Sequence, residues 1–240
     1  MDATAVSQTF GTSFDAATLL RLLQAGALTV YPLAACSVLA LAVILERIWR
    51  YRGLDRTTRE LTRRLVDHVA KRDLAGARAL CEASPTPMAR IFLEGLRWKN
   101  IALEDLDRVL STSRAEAVTD LRRGLWILGS IGSLAPFVGL FGTVVGIIRA
   151  FHEMSVQGSG GFAVVAAGIS EALVATGAGL FVAILSLAFY NYLQVRVGLI
   201  ASTFQRACER FVQALLYLES SSAQPVEEAG EARRGHPLPA

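Results

Sequence analysis

Three stretches of the chain carry almost no charge. Residues 22–45 and 124–148 contain no Asp, Glu, Lys or Arg, and residues 154–195 contain a single one, Glu171. Each is long enough for a membrane-crossing helix, which needs roughly 20 apolar residues. The region between the first two, residues 47–123, is charge-rich and recurs at helical spacing, as in Leu61, Leu65 and Val69 and again in Leu103, Leu106 and Leu110. Ser84-Pro85-Thr86-Pro87 breaks this region into helices, because the residue before a proline avoids helical angles. Beyond the third stretch Leu193, Val197, Ile200, Phe204, Cys208, Phe211, Leu215 and Leu218 step by three or four without a breaker, which predicts one long helix leaving the membrane. In a lone subunit this stripe packs against the chain's own middle region; in an oligomer it can line a bundle. No strand alternation occurs, so the predicted fold is all-α.

The basic residues set the expected orientation. Arg47, Arg50, Arg52, Arg56 and Arg59 follow the first span and Arg122 and Arg123 precede the second, whereas His152 to Gly161 holds no Lys or Arg. The middle region and the C terminus are therefore expected in the cytoplasm, and the N terminus on the other side. Trp49, Tyr51, Trp126, Tyr190 and Tyr192 fall at the predicted inner ends, as an interfacial aromatic belt would. The expected order is an outer N-terminal segment (1–21) with an amphipathic helix near Phe14 to Leu23, span one (22–46), a cytoplasmic helical domain (47–123), span two (124–151), an outer loop (152–162), span three (163–195), a cytoplasmic extension (196–219) and a disordered tail (220–240) rich in serine, proline and short charges.

Composition narrows the function classes. Of 240 residues 52% are hydrophobic and 19% charged, and the mean hydropathy is +0.41, too apolar for an ordinary soluble chain and too short for a many-helix transporter. The net charge of +3 comes from bases scattered among acids, which gives nucleic-acid binding no footing. The residues before the first span contain no Lys or Arg, so a retained helix is expected rather than a signal peptide. Cys36, Cys81 and Cys208 show neither CxxC nor His-paired spacing, and neither metal nor cofactor is expected. No GxSxG, HExxH or paired membrane aspartate points to an enzyme, and three spans show no inverted repeat of a secondary transporter.

Glu171 is the residue most in need of explanation. A carboxylate well inside a bilayer costs roughly 2.5–3.5 kcal/mol on insertion scales, so it should face a polar or wet seam rather than lipid. A hairpin of spans two and three about Gln157 sets Thr143 at the same distance from the turn as Glu171, and Thr176 one to two turns farther inward. The bland alternative for each threonine is a hydrogen bond to its own helix. Small residues at close-packing spacing accompany them: Gly142 and Gly146, Ala135 and Gly139, then Gly168, Ala172 and Thr176 with Ala175, Gly179 and Ala183. Pro136 frees a backbone carbonyl, for which Ser133 is a candidate partner.

The stretches SLAPFVGLFGTVVGIIRAF (Ser133 to Phe151) and VVAAGISEALVATGAGLFVAI (Val164 to Ile184) resemble the signature of the MotA/TolQ/ExbB proton-channel family, in its ExbB/TolQ branch, and Tyr31 to Trp49 resembles its first span. Leu134, Ala167 and Leu185 stand where relatives carry Thr, Pro and Pro. The resemblance implies a bacterial inner-membrane protein with a periplasmic N terminus, acting as the stator-type proton-channel subunit of a motor driven by the proton motive force. It implies a homopentamer around a dimer of ExbD/TolR-like single-span partners that supply a membrane Asp, and a pathway lined by Thr143, Glu171 and Thr176, with Pro136, Gly139, Gly142 and Gly146 shaping the helices. ExbB-like energisation of TonB-dependent outer-membrane transport is the favoured role. A TolQ-like envelope motor acting on a TolA-like effector, a gliding motor, and a membrane scaffold that conducts no protons are the alternatives.

Overall fold

The computed structural model describes residues 27–98, 102–157 and 161–234, and every regular element among them is helical. The helices are α1 (Ala27–Tyr51), α2 (Leu54–Ala70), α3 (Leu74–Glu82), α4 (Pro87–Arg97), α5 (Leu103–Arg122), α6 (Leu125–Gln157) and α7 (Gly161–Arg234). Among the described residues α1, α6 and α7 contain the three stretches long and apolar enough to cross a membrane. The expected amphipathic helix at Phe14 to Leu23 lies outside the described residues. The described residues divide into two compact units, one within 27–45 and 124–191, the other within 46–123 and 192–234.

In the second unit the charge-rich helices close around one apolar core. The stripe Leu61, Leu65 and Val69 is buried on α2, Ala77 and Cys81 on α3, Met88, Ile91 and Phe92 on α4, and Leu106 and Leu110 on α5. The distal part of α7 completes this core with Val197, Ile200, Phe204, Cys208 and Phe211, all buried. The rings of Phe92 and Phe211 sit 5.3 Å apart, tilted by 55°, a favourable edge-inclined geometry. The long stripe thus packs against the chain's own middle region. Burial also raises the thiols of Cys81 and Cys208 to about 11.

The helix breaks have local causes. At Ser84–Pro87 the Thr86 hydroxyl accepts from the amide of Ala89 and Pro87 occupies the first turn, a position where a missing N–H costs nothing. Asp73 caps α3 by accepting from the Gly76 amide at 2.8 Å, and that bond, followed by one from His68, holds its carboxyl below the usual range. Two further breaks use left-handed glycines, Gly53 at φ 78° and Gly124 at φ 83°.

Two expectations change. The backbone of α7 is helical to Arg234, past Ser220, where composition predicts a disordered tail; extending a helix already formed avoids the cost of starting one, although Pro225 and Gly230 oppose it by about 3 and about 1 kcal/mol. Tyr51 is 2% exposed rather than interfacial. Its hydroxyl and the guanidinium of Arg47 both donate to the carbonyl of Leu121, one of the orphan acceptors at the end of α5. Trp49 and Trp126 are 78% and 70% exposed.

Candidate functional site

The first unit presents α6 and the membrane part of α7 as an antiparallel pair in close contact. Its seam is built from glycines whose missing side chains leave no spare room. A Cβ on Gly168 would lie 2.7 Å from Ala150 Cβ, one on Gly146 would lie 2.6 Å from Ala172 Cβ, and one on Gly139 would lie 3.0 Å from Thr176 Cα. Farther along, a Cβ on Gly179 would lie 2.7 Å from the Ala135 carbonyl oxygen, and one on Gly132 would lie 2.6 Å from Leu187 Cγ. Each successive contact moves back along α6 as it moves forward along α7, the signature of a hairpin. Backbones this close are the arrangement that small residues permit in membrane helices.

Thr176 uses that closeness. Its hydroxyl donates across the seam to the carbonyl of Gly139 at 2.8 Å. A carbonyl oxygen has two lone pairs, so Gly139 can serve Thr176 while accepting from the Thr143 amide four residues along its own helix. Thr143 instead turns its hydroxyl to its own helix, donating to Leu140 at 2.7 Å. The self-bonded alternative therefore describes Thr143 and fails for Thr176.

Glu171 is half-buried, flanked by buried Ala172 and Ala175. The contacts Gly146 to Ala172 and Gly139 to Thr176 bracket the level of Thr143, which puts Glu171 and Thr143 within about 5 Å of one another in depth. The structure joins none of the three pathway candidates to another by a hydrogen bond; Thr143 and Thr176 end on Leu140 and Gly139. Gly139 and Gly142 are buried, whereas Gly146 and Pro136 are half-buried. Ser133 does not answer the carbonyl that Pro136 frees, which is that of Gly132. It donates to Gly129 at 2.9 Å, one turn too early, because a helical serine reaches the carbonyl four residues behind it more easily than one beside it.

Several seam residues escape the spacing argument. Gly132 and Gly129 face Leu187 and Tyr190. Small residues four apart mark α6 only from Ala135 onward, which leaves out these large-on-small contacts at the inner end, where Tyr190 reads as part of the aromatic belt. Their only sequence signal is glycine at positions 129 and 132, three apart on one helix face.

Residues 83–206 match the model of the MotA/TolQ/ExbB proton channel family, a range that takes in the whole hairpin. The chain belongs to this family. An ExbB-like biopolymer transport protein of Synechocystis sp. is 34% identical over 172 residues, covering 70% of this chain and 67% of that one. A second from the same organism is 31% identical over 170 residues, covering 70% and 81%. The biopolymer transport protein ExbB of Neisseria gonorrhoeae is 48% identical over 84 residues, 35% of this chain and 38% of its own. These relatives set the chain in the ExbB branch, and its three apolar helices suit an ExbB-type inner-membrane protein.

Proposed function

We propose that this chain is the proton-channel subunit of an inner-membrane motor that energises TonB-dependent outer-membrane transport. The observation that supports the reading is the closely packed α6–α7 hairpin, which carries a half-buried carboxylate, Glu171, within about 5 Å in depth of Thr143 and one to two turns from the threonine hydroxyl that bridges the two helices. A side chain as costly as Glu171 would not be kept in a membrane helix for packing that alanine would do better. Five copies enclosing the seam would shelter Glu171 from lipid and line a path with it, Thr143 and Thr176.

A dimer of single-span partners of the ExbD type would stand within that ring and carry the membrane aspartate, since none of the three spans here contains one. Proton arrival neutralises that carboxylate and changes its fit against the surrounding polar groups; proton departure restores it. The potential supplies roughly 2.3 kcal/mol per charge per 100 mV. On this reading the N terminus is periplasmic and residues 47–123 are cytoplasmic, as the arginine asymmetry favours.

The test is energised uptake in cells that depend on this chain. Glu171→Ala and Thr143→Val are expected to abolish uptake while the complex with the partner still assembles on native gels. Full uptake by both variants would overturn the pathway, and full uptake with no proton flux would favour a scaffold.

A further inference from the structure

In the second unit, α2 and the distal part of α7 border an open groove of about 930 Å³, within the size range of ligand sites. Two rows of arginine line it, Arg56, Arg59 and Arg63 on α2 and Arg206 and Arg210 on α7. The spacings of three and four residues keep each row on one helix face. All five are exposed. Arg63 lies 3.7 Å from Glu60 and Arg206 donates to Thr203, whereas Arg56, Arg59 and Arg210 form no ion pair among the described residues.

We propose that this groove binds an acidic peptide segment of a partner protein, with its carboxylates held by the arginine rows. The floor between the rows is apolar, with Val66, Ala207 and Ala214, which suits side chains placed between the carboxylates. Arg59 to Arg63 and Arg206 to Arg210 each rise about 6 Å, close to the roughly 6.6 Å between alternate residues of an extended strand. A dense polyphosphate fits less well, because Glu60 and Asp67 interrupt the arginines and carboxylates spaced along a peptide can avoid them where contiguous phosphates cannot. A lipid headgroup is also disfavoured. Thr203 and Tyr217 lie eight and 22 residues past the predicted span end at Val195, about 12 and 33 Å along α7, beyond a headgroup layer of roughly 5–8 Å.

The test uses the full chain, assembled in nanodiscs, and a fluorescent peptide alternating Glu and Val over roughly six residues, the length of α2 between Arg56 and Ala70. Saturable binding that weakens with salt is expected, together with at least about a tenfold loss in the double variant Arg59→Gln/Arg210→Gln and no change in Arg90→Gln on α4. The matching Gln/Val peptide is expected not to bind. Equal binding by the double variant, or stronger competition from tripolyphosphate or phosphatidylglycerol vesicles than from unlabelled peptide, would overturn the proposal. So would failure of a maleimide to label Arg63→Cys in the assembled protein, since a neighbouring copy would then cover the groove.

Discussion

At the scale of single residues, Gly139 and Gly179 are the positions where the α6–α7 seam has the least freedom. The atoms their added Cβ would meet are backbone, Thr176 Cα at 3.0 Å and Ala135 carbonyl oxygen at 2.7 Å, which cannot rotate away. Gly139→Ala and Gly179→Ala are therefore expected to force the helices apart, at a cost of about 1–3 kcal/mol each, and to break the Thr176 bridge. Gly177→Ala is the matched control: nothing lies within 4 Å of its added Cβ, and alanine is the better helix former by about 0.8–1 kcal/mol. Unfolding of the detergent-solubilised protein checks all three, and equal stability of Gly139→Ala and Gly177→Ala would contradict the seam. Thr176→Val should cost about 0.6 kcal/mol, the average for a hydrogen bond between membrane helices, whereas Thr176→Ser should recover most of it.

At the scale of elements, the distal part of α7 is held by its contacts in the second unit. Phe211 is fully buried against Phe92 and over Gly95, so Phe211→Ala is expected to lower stability by about 3–5 kcal/mol and to expose α7 to proteolysis beyond Gln205. Limited digestion followed by mass mapping reads this directly. The two buried thiols add a pH dependence. Both rise from 9.0 to about 11 on folding, so between those values the unfolded chain has lost protons that the native one keeps. Stability therefore falls as pH rises from 9 toward 11. Cys81→Ala/Cys208→Ala should flatten that fall, measured by helical circular dichroism against denaturant.

Much of this element structure is legible in the pattern of apolar and charged residues. The three uncharged stretches, the Ser84–Pro87 break and the α7 stripe depend on local composition and period, and they reappear as expected. The breaks at Gly53 and Gly124 depend on a left-handed backbone, and a lone glycine does not announce its angles. Tyr51 illustrates a different limit: an aromatic near a span end suits the interface, and only the unsatisfied carbonyl of Leu121, 70 residues away, draws it inward. In the candidate site the residue types and depth were readable, yet Thr143 and Thr176, alike in sequence, part company because only Thr176 faces a glycine close enough to bridge.

At the scale of the whole molecule, an apolar hairpin carries one half-buried carboxylate and a separate helical unit carries a basic groove. The family is that of the MotA/TolQ/ExbB proton channels, and on the proposed reading protons would pass along the seam. The claim on which the account rests is that Glu171 belongs to a conducting path formed only in the assembly. The direct measurement is proton flux into liposomes holding the chain with its ExbD-type partner, under an imposed potential, read by a trapped pH dye. Flux is expected with the native chain and with Gly177→Ala, and loss of flux with Glu171→Ala in complexes of unchanged composition. Undiminished flux through Glu171→Ala would contradict the account.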